Sequence, residues 1–201
     1  MPHWRHDDIS IPEDLIEEVA RIYGYHRLPS LLPTGEFPEP TFEKTFYWEE
    51  KIKDCLKNWG FTEVYTYSMQ SIDVIERVGL NPETCLRLKN PLTRELEYMR
   101  TSLIPSILPV IARNQENFDL VKIFELANIY LPRKNKLPEE RPILIGAITG
   151  RDKFYEAKGV VEALLEELGI KEYQISPLSY KESKIWHFSR TAQITKKGQL
   201  L

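Results

Sequence analysis

Four prolines fall within the fourteen residues from Arg27 to Pro40, "RLPSLLPTGEFPEP", and this stretch limits the fold more than any other. Proline lacks the N–H that a helix interior or a central strand requires, and its ring fixes φ. The segment therefore reads as an extended linker. It divides the chain into a short first domain, residues 1–40, and a larger second one, residues 41–201.

The first domain is organised around one helix. Ser10 and Glu13 have the Ser-x-x-Glu spacing of a capping box, and Pro12 is tolerated in a first turn. Leu15, Ile16, Val19, Ala20, Ile22 and Tyr23 recur along one helical face until Gly24, a natural stop. After the linker a second helix is predicted over Thr41–Trp59. Phe42, Phe46, Ile52, Leu56 and Trp59 trace its apolar side, which Tyr47 and Trp48 widen before Gly60 ends it.

The rest alternates between the two periods. "FTEVYTYSM" reads as a strand, with shorter strands at "CLRLKN" and "EYMR". "TSLIPSILPVIARNQ" is predicted to be a helix capped by Thr101 or Ser102, kinked or broken at Pro109. "LVKIFELANIYLP" reads as a long strand, "RKNKLPEE" as a polar turn and "ILIGAITG" as a central strand. "YEAKGVVEALLEELGI" is a helix burying Val160, Leu164, Leu165 and Leu168; "EYQISPL" and "TAQITKKGQLL" close the chain as strands, the last as a hairpin cut in its turn. Mostly antiparallel strands with flanking helices make the fold α+β. Both ends read as cuts through a longer protein.

A net charge of -3 leaves no global basic field to draw the protein to nucleic acid or anionic lipid. Cys55 and Cys85 have no partnering Cys/His spacing, against a disulfide framework or a zinc site and in keeping with a reducing compartment. No apolar run reaches the ~18 residues of a membrane span, and a cytoplasmic protein is expected. His3-x-x-His6 has no third ligand at useful spacing, and there is no His-Glu-x-x-His, Gly-x-Ser-x-Gly or phosphate-loop pattern.

Three features remain. Asp14, Glu17 and Glu18 share a helix face, with Asp7 and Asp8 just upstream and Arg21 placed to pair with Glu17. From these residues alone, a solvated face complementing the helix dipole and an all-oxygen divalent-cation or partner site both stay open. The basic turn with Arg133, Lys134 and Lys136 reads as a solvated hairpin tip, with phosphate contact as the alternative. Phe42, Phe46, Tyr47 and Trp48 occupy more than one side of a helix, as core or as an interface.

Three collinear stretches then resemble the beta subunit of bacterial phenylalanyl-tRNA synthetase. "WRHDDISIPEDLIEEVARIYGYHRLP" resembles the end of that subunit's fifth, winged-helix-like domain. "LKNPLTRELEYMRTSLIPSILPVIARN" with "IFELANIY" resembles its class II catalytic-like module. "DKFYEAKGVVEALLEELGI" with "HFSRTAQI" resembles its Lys-Gly helix and Pro-Gly-Arg-Ser-Ala turn. Ala127 departs from the family's Gly after Phe-Glu, and Phe188 and Ser189 from its Pro-Gly, which implies local backbone changes at loop or strand-end positions.

The resemblance implies a class II synthetase-like sheet that has lost catalysis, so no catalytic residue is assigned. It implies packing on the alpha subunit in an alpha2-beta2 assembly that uses ATP, phenylalanine and tRNA(Phe), with tRNA met through the full protein and no membrane contact. Phe42, Phe46, Tyr47 and Trp48 would then be interface residues. Asn90, Pro91, Arg100, Thr101, Ser102, Phe124 and Glu125 would be structural members of the family's motifs. The family's magnesium pattern maps onto Asp8, Asp14, Glu17 and Glu18, with binding expected in the complete assembly and weak or absent in this chain alone. Two rival readings are a stand-alone synthetase-like paralogue with a small-molecule site and a nucleic-acid-binding module.

Overall fold

The computed structural model describes residues 3–5, 7–37, 41–178, 185–187 and 190–201. His6, the linker's end with the boundary expected near residue 40, and the Phe188–Ser189 departure lie outside the described residues. The chain separates into two compact units, Met1–Phe42 and Glu43–Leu201.

In the first unit a 3-10 turn, His3–Arg5, precedes helix α1, Pro12–Tyr23. The capping differs from the predicted Ser10–Glu13 box. Ile11 is the N-cap residue, and the Asp14 carboxylate reaches back to accept the backbone N–H groups of Ser10 (2.7 Å) and Ile11 (2.9 Å). Asp14 sits one residue nearer the cap's proper spacing than Glu13, because Pro12 occupies the first helical position. Gly24 ends α1 at φ 99°, a left-handed conformation suited to glycine, with its N–H on the Ala20 carbonyl. No residue of α1 is buried, so its apolar stripe is open within this unit.

The elements of the second unit run α2 (Lys44–Asn58), β1 (Thr62–Glu63), β2 (Met69–Gln70), α3 (Ile72–Arg77), β3 (Tyr98–Met99), α4 (Ile104–Gln115), β4 (Lys122–Leu131), β5 (Glu139–Ile148), α5 (Phe154–Glu167), β6 (Tyr173–Pro177), β7 (Ala192–Lys196) and β8 (Gln199–Leu200). The unit holds three small sheets, β1-β4-β5, β2-β3 and β6-β7-β8 among the described residues, and the first of them has helices packed on both faces. Strands β1-β4-β5 form the principal sheet, with β1 parallel and β5 antiparallel to β4.

Alternation along β4 sends successive side chains to opposite faces. Phe124 packs with Leu56 of α2 and Phe61, with Ile52, Leu144, Ile148 and Val160 around them. Ile123 packs the other way with Ile107 of α4 and Val121, beside Val64, Val110, Ile145 and Ala147. Phe124 is fully buried. Burying such side chains contributes roughly 1.5–3 kcal/mol each, which makes β4 the spine of the unit.

Several elements depart from the pattern read along the chain. "ILIGAITG" lies in β5, an edge of its three-stranded sheet, while β4 is central. Pro142 pairs with Asn128 within β5, and an edge strand tolerates the missing N–H. β5 also takes in Glu139–Pro142, extending into the expected turn. The "FTEVYTYSM" run supplies only the short β1 and β2, and "CLRLKN" only a bridge from Arg87 to Tyr98. α4 begins after Leu103 and passes through Pro109 unbroken.

α3 was not anticipated; Ser71 caps it by accepting the Val74 N–H. Ala127 falls inside β4 opposite Ile143, where extended backbone suits alanine, and not at a strand end. The final segment is a closed hairpin: β8 pairs with β7 through Lys197 (φ 49°) and Gly198 (φ 79°), the positive-φ pair of a tight hairpin turn. Among the described residues no helix is long and apolar enough to cross a membrane.

Candidate functional site

Three places carry the candidate residues, and the first is the acid group of α1. Arg5 enters it from the 3-10 turn. Its Nε lies 2.9 Å from Asp8 Oδ2, and its Nη2 donates to Glu18 Oε1 at 2.7 Å. The other Glu18 oxygen takes Arg21 Nη2 at 2.5 Å, so Arg21 pairs with Glu18 and not with the expected Glu17. These bonds hold the Glu18 carboxyl below its ordinary range, through Arg21 first and Arg5 next. Asp14 is likewise lowered, by the Ile11 N–H and then the Ser10 N–H. Glu17 is exposed.

The four acids supply the oxygen donors that Mg²⁺ prefers. Their arrangement does not fit the ion: among the described residues no three His, Cys, Asp or Glu side chains are grouped to hold a metal. Arginines and backbone N–H groups take up Asp8, Asp14 and Glu18 instead.

The second place is a buried knot against β4. Arg100 and Glu125 are 3% and 1% exposed, with Nη1 of Arg100 3.0 Å from Glu125 Oε1. Nη1 also donates to Thr66 Oγ1 at 3.0 Å and Nε to the Asn128 carbonyl at 2.9 Å. Thr66 donates its backbone N–H (3.1 Å) and its hydroxyl (2.7 Å) to the Glu125 carboxylate. Main-chain bonds fix the arginine as well, from Arg100 N–H to Ser68 O and from Tyr130 N–H to Arg100 O, both 2.9 Å. With Nε and Nη1 spent inward and the side chain only 3% exposed, Arg100 does not present a guanidinium to a solvent-borne phosphate. Lys122, the other cation here, belongs to β4, and with Lys153 it holds Glu156 at a pKa of about 2.

The remaining motif residues surround this knot. Phe124 fills the core beside Glu125. Thr101 lies 3.6 Å from Cys85 Sγ through its hydroxyl, and Ser102 accepts the Ile104 N–H at the start of α4. Asn90 is exposed and Pro91 half-buried in the preceding turn. Thr66 and Asn128, which complete the knot, escaped the sequence reading because Thr66 meets Glu125 across 59 residues of chain. No local pattern encodes that pairing.

The third place is α2. One side carries Leu56 into the core, while Phe46, Tyr47 and Trp48 are 67%, 48% and 43% exposed. Tyr47 and Trp48 meet edge to face at 5.1 Å, and Lys51 lies over the Trp48 ring. Phe42, in the first unit, is also exposed. At the β4–β5 turn Arg133 pairs with Glu139 at 2.7 Å, and Glu139 also takes Arg141. An open cleft of about 870 Å³ lies between Tyr65–Ser71 and α4, with Arg113 among its lining residues.

Comparison with known proteins covers nearly the whole chain. Residues 28–201 match the family described as the phenylalanyl tRNA synthetase beta chain CLM domain, and residues 1–25 the tRNA synthetase B5 domain. A phenylalanine–tRNA ligase beta subunit from Clostridium acetobutylicum is 33% identical, the match covering 96% of this chain and 25% of that protein. One from Dehalococcoides mccartyi strain CBDB1 is 36% identical over 84% of this chain and 22% of its own length. The chain thus spans about a quarter of the length of the curated relatives it matches. In three dimensions it resembles a pyrrolysyl-tRNA synthetase of Desulfitobacterium hafniense, with TM-score 0.63 and 18% identity over 79% of this chain and 57% of the other. That likeness concerns the fold alone, a class II synthetase fold.

Proposed function

The chain belongs to the phenylalanyl-tRNA synthetase beta-chain family, and on that premise we propose that it is a non-catalytic assembly module which packs on the alpha subunit. The observation that carries this reading is the outer side of α2, where Phe46, Tyr47 and Trp48 stand exposed on a helix whose other side is already seated in the core. Exposed aromatics concentrated on one rigid element suit a protein interface, where such side chains contribute large contact area at small entropic cost. Phe42 is a further proposed contact.

The inward use of Arg100 supports the non-catalytic half of the reading. Phosphoryl and adenylyl chemistry needs fixed positive charge aimed at the transferring group. β4 offers Lys122, tied to Glu156, and Glu125, tied to Arg100. Catalysis then falls to the alpha subunit, which would join phenylalanine to tRNA(Phe) with ATP in the cytoplasm; tRNA contacts fall to other parts of the full beta chain. Asp8, Asp14, Glu17 and Glu18 are proposed as ligands of Mg²⁺ in that assembly.

Co-expression with a cognate alpha subunit tests the reading. The chain is expected to co-elute with alpha, and a Phe46→Ala/Trp48→Ala variant with unchanged circular dichroism is expected to elute alone. Phenylalanine-dependent ATP–pyrophosphate exchange by the purified chain would sink the non-catalytic assignment and favour the stand-alone paralogue.

A further inference from the structure

We propose that Arg5 is the standing counter-ion of the α1 acid group, holding the place a divalent cation would need, so that the chain takes up such an ion only when Arg5 leaves. The inference rests on the reading of Asp8, Asp14, Glu17 and Glu18 as ligands, and it arises from the disagreement between that donor set and its arrangement.

The guanidinium spans two segments of chain. It joins Asp8, in the turn before α1, to Glu18, in the second turn of the helix, at 2.9 and 2.7 Å. Glu18 has no oxygen left over, since Arg21 takes the second. Asp14 gives one oxygen to two backbone N–H groups. Two arginines therefore offset half the charge of the four acids.

Geometry separates the two cations. Mg²⁺ draws oxygens to about 2.0–2.1 Å in an octahedron, whereas a planar guanidinium holds carboxylates apart at roughly 2.7–2.9 Å from its nitrogens. The acids are spaced here for the guanidinium. Exchange remains open because the Arg5 side chain is 34% and that of Asp8 57% exposed, and ion pairs in contact with water are weakly held and screened by salt. Arg100 differs in this respect, since it and Glu125 are both shut off from water.

The test uses the 201-residue chain, Mn²⁺ as the probe and the paramagnetic resonance signal of free Mn²⁺ as the readout. Wild type and Arg5→Lys are expected to leave the ion free. Arg5→Gln and Arg5→Ala, carried in parallel in case one loses α1, are expected to bind one ion at least about tenfold more tightly than wild type, the scale on which neighbouring groups tune metal sites. Adding Glu18→Gln to either should abolish the gain. Uptake by wild type equal to that of Arg5→Gln overturns the proposal, and so does the absence of uptake in both variants.

The two ideas fail separately. Wild-type binding that is lost in Glu18→Gln keeps the ligand set and removes Arg5's role. Binding by Arg5→Gln that survives Glu18→Gln removes the ligand set.

Discussion

Arg5 and Arg100 each meet a glutamate at hydrogen-bond distance, 2.7 Å to Glu18 and 3.0 Å to Glu125, yet their surroundings give them opposite roles. Side-chain exposure is 34% and 33% for the first pair and 3% and 2% for the second. Water competes for every bond of the first pair. The second is cut off from water, so each charge depends on its partner, on Thr66 and on Asn128. The same two residue types make an exchangeable contact in one unit and a permanent fastening in the other, and dielectric surroundings decide which.

Breaking the buried pair should have the largest effect. Arg100→Met leaves the Glu125 charge without its partner, and the second unit is expected to lose about 3–5 kcal/mol in denaturant unfolding. Replacing both, as Arg100→Met/Glu125→Leu, should recover much of that loss, because no uncompensated charge remains. A double variant as unstable as the single one would show that shape, not charge, dominates the knot. Thr66→Val removes a hydroxyl donor to a buried carboxylate and is expected to cost about 1–3 kcal/mol in the same measurement.

A smaller effect is expected where β4 meets α5. Lys122, and then Lys153, hold the Glu156 carboxyl at about 2 against an ordinary 4.5. A carboxyl lowered on folding stabilises the charged folded form. Its contribution is complete above pH 4.5 and fades as pH falls toward about 2. Glu156→Gln should flatten that part of an acid-unfolding curve and leave neutral pH nearly unaltered. The smallest effect belongs to the first unit: raising salt to ~1 M, where the Debye length is about 3 Å, should loosen Arg5 from Asp8 and Glu18 while leaving the Arg100 knot intact. Side-chain exchange rates of the two arginines would report the contrast, and equal salt responses would break it.

How much of this was legible depends on the range of the interaction involved. α1 and its Gly24 stop, the helix of α2, the long strand β4 and the helix α5 all follow from local periodicity. The aromatic exposure on α2 was foreshadowed by residues crowding more than one face. The cap of α1 lies one residue later than the Ser10–Glu13 spacing implies, because Pro12 takes the first helical position, which makes Ile11 the N-cap and Asp14 the residue three positions on. α3 carried only a short signal at Ser71. Pro109 looked like a break, yet the carbonyl it cannot serve belongs to Pro105, in the opening turn of the same helix.

The sequence by itself determined the α+β class, the four acids near and on α1, and the family, because periodicity and motif spacing are properties of neighbouring residues. Only the tertiary structure decided what those residues do to each other. It made β4 central and β5 an edge, and it turned Arg100 inward onto Glu125. It also set Arg5 among acids that spacing alone offered to a metal. Each outcome depends on which charges are brought together from distant segments and how far water is excluded from them.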